Sequence, residues 1–111
     1  MNDSAFTPCV VYITAPDEAT ATRLADRLVE QGLAAWVNIV TTVTSVYRWQ
    51  GRIERDNEQL LIAKTQHARV AAINACLAEA HPDDVPECIA VDITDGSPAY
   101  LDWLAAETRP A

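Results

Sequence analysis

The heptapeptide His81-Pro82-Asp83-Asp84-Val85-Pro86-Glu87 sets an imidazole among carboxylates, with Glu79 just upstream. One imidazole nitrogen with carboxylate oxygens is a donor set that Cu(II), Zn or Ni accepts. The chain has only two histidines, so this stretch is its foremost candidate metal site, with His81, Asp84 and Glu87 as ligands and Asp83 as a further oxygen source. Pro82 and Pro86 stiffen the loop, which leaves one or two of those oxygens able to face the ring. A complete site therefore has to borrow ligands from a neighbouring subunit. A plainer role competes: His81 follows Leu77 by four residues on an apolar helical stripe, where it would pack at a sheet edge and bond the last free carbonyls of its helix. His67 lies 14 residues before His81, about 21 Å away along a helix axis, so the two cannot form a paired site in one subunit. It reads as an exposed first-turn residue.

Enzymatic chemistry finds little footing. There is no Gly-x-Ser-x-Gly elbow and no His-Glu-x-x-His pair, and three glycines supply no phosphate-cradling loop. Cys9, Cys76 and Cys88 have no base positioned beside them by sequence and read as small buried hydrophobes. Lys64 and Arg48 are candidates for an anion-binding pocket if they converge on one space. Tyr47 and Trp49, with Val43 and Leu60, read as residues that pack against another chain. The run Arg52 to Glu58 is mixed in sign and suits a solvated hairpin face.

Those residues are set on recognisable elements. The run Cys9 to Thr14 is β-branched and aromatic, as a buried strand requires, and Pro16 stops it. Asp17 is placed to cap a helix whose stripe is Ala21, Leu24, Ala25, Leu28 and Val29, and Gly32 suits its left-handed end. Residues 34–49 alternate with period two, placing Val37, Ile39, Thr41, Val43, Ser45, Tyr47 and Trp49 on one face. Such a strand is far longer than the usual 5 to 6 or so residues. Gln50-Gly51 turns it into a second long strand, and the hairpin should protrude beyond the core. A second helix carries Val70, Ile73 and Leu77. Cys88 to Ile93 returns as a strand, and Ser97-Pro98 opens a last helix. The order predicts one α+β domain over residues 1–111, a ferredoxin-like split β-α-β subunit with an antiparallel sheet, helices on one face, a long β-hairpin and a C-terminal helix.

Composition narrows the partners. Sixteen acidic against eight basic residues give a net charge of −8, which removes the main attraction for nucleic acid and for anionic membrane surfaces and leaves cations as the natural small partners. Hydrophobic residues make up 50% of the 111, yet 19 are alanine, so the heavy core is modest and subunit association is favoured. Three cysteines form neither a disulfide framework nor a Cys-x-x-Cys pair, which points to a reducing compartment. With no apolar stretch of signal or membrane-span length, the expectation is a cytoplasmic protein.

The segments TAPDEATATRLADRLVEQGLAAWVNIV, TSVYRWQGRIE, LLIAKT, HPDDVPE and YLDWLA occur in the order found in the divalent-cation-tolerance (CutA) proteins, which the chain resembles from about residue 9 to 107. The resemblance implies a PII-like homotrimer whose hairpins extend sheets between subunits, a role in tolerance of copper and other divalent cations, and no catalysis. It leaves two other readings open: a PII-like sensor binding a small anionic metabolite between subunits, and a trimeric scaffold without a ligand. The chain also departs from these proteins. Trp36 and Ile13 stand where relatives carry cysteines, Ala80 where some carry a second histidine, and Asp83 where an aromatic is common. Thr41-Thr42 replaces Pro-Gly, which implies a straighter long strand.

Overall fold

A computed structural model of the chain describes residues 6–110. The elements run β1 (Pro8–Ala15), α1 (Glu18–Glu30), β2 (Trp36–Trp49), β3 (Arg52–Gln66), α2 (Val70–Ala80), β4 (Cys88–Asp92) and α3 (Pro98–Glu107). A 3-10 turn at His67–Arg69 leads into α2. The four strands lie in the order β2-β3-β1-β4 with every neighbour antiparallel. Two β-α-β units are thus interleaved, each separated by a strand of the other, which is the expected ferredoxin-like arrangement.

Local chemistry sets the ends of α1. The Thr20 amide donates to Asp17 Oδ1 at 2.7 Å, and that bond holds the Asp17 carboxyl below its ordinary range. At the other end Leu33 N–H reaches Leu28 O at 2.9 Å and Gly32 N–H reaches Val29 O at 3.1 Å. This paired closure needs a left-handed residue at position 32, and Gly32 supplies φ 69.

One sheet face holds the core. Cys9, Val11, Ile13 and Ala15 of β1, with Leu61 and Ala63 of β3, are completely buried beneath Ala21 and Leu28 of α1 and Ile73 of α2. Each leucine or isoleucine so buried contributes about 1.5–3 kcal/mol, enough to fix α1 and α2 on this face. Cys9 and Cys76 serve here as the small apolar residues their surroundings suggested.

The long strand does not keep one phase. Thr41 pairs with Gln59 but Val43 pairs with Glu58, so Thr42 is an extra residue without a partner. Because side chains alternate with period two, one added residue reverses every face beyond it. Val37, Ile39 and Thr41 share a side with the buried Leu61 and Ala63, whereas Val43, Ser45, Tyr47 and Trp49 lie on the opposite, outer side. The single face expected for these seven residues is therefore split, and the strand is bulged at Thr41-Thr42 instead of straightened.

The outer face is covered differently. Trp36 pairs with Lys64 on that side, and its ring meets Tyr100 and Trp103 of α3 at centroid distances of 6.2 and 6.1 Å. Gln66 Nε2 donates to Thr108 Oγ1 at 2.9 Å, anchoring the end of α3 to the same end of the sheet. So α3 crosses to the outer face, and only α1 and α2 share the inner one. Elsewhere the outer face stays open, with Ile89 and Val91 of β4 about half exposed. No helix among the described residues is long and apolar enough to cross a membrane.

Candidate functional site: an acid-lined groove beside the distal hairpin

His81 ends α2 and turns inward. Its side chain is fully enclosed, its Nε2 lies 2.8 Å from the Thr14 carbonyl at the end of β1, and its Nδ1 accepts the Asp83 N–H at 3.1 Å. An Nδ1 that accepts from an amide carries no proton, so Nε2 carries it and donates to Thr14. The carbonyl partner is thus on β1, not on the ring's own helix. Both nitrogens are engaged, and the ring works as a post between β1 and the loop 82–87.

That loop faces the distal hairpin across an open groove of roughly 860 Å3. Asp83, Asp84 and Glu87 line one wall and Asp56 and Glu58 the other, with Tyr47 and Trp49 beside them and no lysine, arginine or histidine in the lining. Asp84 and Glu87 are exposed. The Tyr47 hydroxyl donates to the Asp56 carboxylate, and that bond, reinforced by burial and by the charges of Asp56, Glu54 and Glu58, pushes the phenol up to about 12. The negative potential therefore comes from two elements distant in sequence. Among the described residues, no three His, Cys, Asp or Glu side chains stand close enough to hold a metal ion. What the groove offers one chain is attraction for cations and part of a ligand set.

The other candidate residues fall into place on the sheet. Val43, Tyr47, Trp49 and Leu60 all lie on the outer face, Val43 and Leu60 half-buried and the two aromatics more than a third exposed. Lys64 is on that face as well, opposite Trp36, while Arg48 lies opposite Ile53 on the inner-facing side. Eleven residues of β3 separate their partners, from 53 to 64, which spans roughly 36 Å. Within one chain Lys64 and Arg48 do not converge. His67 is exposed as expected and pairs with Asp92 of β4.

Sequence reasoning missed Asp56 and Glu58 as groove residues. A signal was present: Glu54, Asp56 and Glu58 recur at every second position of a strand, so they share one face while Arg55 points away. The thiols offer no competing site. Burial, aided by Asp92, pushes Cys9 up to about 11, and burial with Glu87 raises Cys88. Both shifts run against the lowered values of reactive thiols.

Comparison with known proteins agrees with this fold. The family profile described as "CutA1 divalent ion tolerance protein" matches residues 9–107. The chain is 44% identical over 100 residues to "Protein CutA, chloroplastic" of Arabidopsis thaliana, covering 90% of this chain and 55% of that one. It spans little more than half the length of such plant relatives. Among solved structures, CutA1 from Oryza sativa superposes with a TM-score of 0.92 at 39% identity, over 98% of this chain and 100% of that one. The periplasmic divalent cation tolerance protein CutA from Archaeoglobus fulgidus superposes with 0.88 at 34% identity, over 92% and 99%.

Those names overturn the cytoplasmic placement drawn from the cysteines, because one relative is chloroplastic and another periplasmic. Buried unpaired cysteines such as Cys9 and Cys76 report close packing, and packing carries no information about compartment. With its fold, its motifs and nearly its whole length matched, the chain belongs to the CutA1 divalent ion tolerance protein family.

Proposed function

We propose that the protein is a non-enzymatic homotrimer acting in the response to divalent metal ions, with Cu(II) or a similar cation drawn to the groove beside the distal hairpin. The observation that carries this reading is the groove lining, five carboxylates with no basic side chain among them. In it Asp84 and Glu87 are the first ligands. His81 sets their loop, and its Nδ1 joins the ligand set by giving up the Asp83 amide. A neighbouring subunit completes the coordination, since the described residues of one chain bring too few groups together. Association itself is supported by the outer face: Tyr47, Trp49, Ile89 and Val91 are each at least 40% exposed, and β2 and β4 are open edges that invite pairing. Cyclic closure would cover both edges without open-ended growth.

Native mass spectrometry with Cu(II) or Zn(II) tests both parts together. The expected species is three times the 12.1 kDa chain mass with bound metal, and metal uptake falls in Asp84→Asn/Glu87→Gln. A well-folded monomer at micromolar concentration overturns the trimer. Uptake unchanged in the double variant removes the groove from the metal reading.

A further inference from the structure

Charge is sorted by side on the distal hairpin. Gln59 is the last residue of β3 with a partner in β1, and residues 52–58 pair with β2 alone, forming an arm roughly 23 Å long. Its outer side carries Glu54, Asp56 and Glu58, whereas its other side carries Arg48 and Arg55 and no acid. Arg48 pairs with Ile53 and Arg55 with Val46, so the two arginines are diagonal neighbours, roughly 7–8 Å apart along the backbone. Both are exposed, and Val46 and Ile53 beside them are 54% and 56% exposed. Neither arginine joins an ion pair among the described residues. Neighbouring like charges repel, and a two-stranded arm is only marginally stable by itself. This side calls for a cover that is both anionic and apolar.

The same chain carries a surface of that chemistry in the loop 82–87. There Asp83 and Asp84 are exposed beside Val85, which is 70% exposed. Pro82 and Pro86 stiffen the loop, and His81 ties it to β1 through the Thr14 carbonyl, so these groups are held ready for contact. Within one chain the loop looks across the groove at the acidic side of the arm, and neither Arg48 nor Arg55 lines that groove. A second copy is needed to bring the arginines to the loop.

We propose that the arginine side of one chain's hairpin docks on the loop 82–87 of a second copy, with Arg48 and Arg55 against Asp83 and Asp84, and Val46 and Ile53 against Val85. This contact rests on the homotrimer reading and deepens it by naming two surfaces that meet. Hairpin and loop are different surfaces, so each chain offers one and receives the other, and such a head-to-tail contact closes on itself in a cyclic trimer. Two guanidiniums offset two of the five groove carboxylates, and the remaining negative charge still favours a cation.

Cross-linking tests the contact directly. Arg48→Lys/Arg55→Lys keeps both charges and supplies amines for a zero-length carbodiimide link to carboxylates. Heavy- and light-isotope chains of this variant are refolded together, cross-linked in chelator and read by mass spectrometry. The expected product joins position 48 or 55 of one isotope to Asp83 or Asp84 of the other. A trimer in which these positions link only within their own chain, only to other acids of a neighbour, or not at all refutes the contact and leaves the trimer standing; a monomer refutes both. Charge exchange gives a second readout. Arg48→Glu/Arg55→Glu and Asp83→Arg/Asp84→Arg should each shift trimer dissociation, followed by light scattering, to lower urea, and all four substitutions together should restore it. Two one-sided variants that dissociate where wild type does, or a fourfold variant no more stable than either, overturn the proposal.

Discussion

Replacing His81 by alanine should destabilise the protein in the absence of any metal. The imidazole is fully enclosed and makes two bonds, to the Thr14 carbonyl at 2.8 Å and from the Asp83 amide at 3.1 Å. Truncation removes both and leaves a void beside the end of β1. The Asp83 amide belongs to an exposed residue and can turn to water, so its loss costs about 0.5–1.5 kcal/mol, while an orphaned Thr14 carbonyl costs about 1–3 kcal/mol. Before any loss of packing the sum is roughly 1.5–4.5 kcal/mol. In a chain of this size each kcal/mol lowers Tm by about 4–8 °C, so a fall of about ten degrees or more is expected. Denaturant unfolding in chelator, at one fixed protein concentration because association shifts apparent stability, gives the free energy directly. A loss below about 1 kcal/mol in chelator, with a large loss only when metal is present, would refute the assignment of His81 as a structural post.

Three further outcomes are expected. Leu77→Ala empties a core position that is 1% exposed and should cost about 2–5 kcal/mol, read from the denaturation midpoint at unchanged slope; a cost under 1 kcal/mol would contradict the packing described. Gly32→Ala forces a Cβ onto a residue at φ 69 and should cost about 1–2 kcal/mol, although its nearest neighbour, the Glu107 carbonyl at 3.6 Å, leaves room for the methyl. The Cys9 thiol, raised from 9.0 to about 11, should resist a thiol reagent at pH 8 in native protein and react readily in denaturant. Because its folded value is the higher one, its contribution to stability is complete below pH 9 and lost as pH rises toward 11; equal native and denatured reaction rates would rule this out.

Sequence periodicity served well where one residue type dominates one face. The β-branched run of β1, the Asp17 cap and the Gly32 ending of α1 are each specified by a local requirement that few residues meet. It failed at Thr42 because both sides of β2 carry valines, so an alternation template passes through the inserted residue without a visible break, and neither glycine nor proline marks the spot. The crossing of α3 was hidden for a related reason. Trp36 and Tyr100 are apolar residues that fit either face, and only their mutual contact decides which is used. His81 was correctly placed against the sheet, but its partner lies 67 residues away in sequence, beyond any local pattern. Asp56 and Glu58 were concealed by reading charge along the strand instead of by alternate positions.

The unpaired Thr42 also bears on how this hairpin can change length. Removing that residue would set Val43 next to Thr41 and still opposite Glu58, so the ladder would run unbroken and Val43, Tyr47 and Trp49 would keep the outer side they already occupy. A single-residue deletion or insertion at a paired position of this strand, unmatched on β3, does disturb the faces, whereas one matched pair added to each strand beside the Gln50-Gly51 turn extends the tip by about 7 Å and preserves every side. The proximal half, tied to the core, and the distal half, which walls the groove, are two reading frames joined at one residue. The distal frame is free to vary in reach in steps of two, so families of such hairpins should differ in even numbers of residues per strand wherever this bulge is retained.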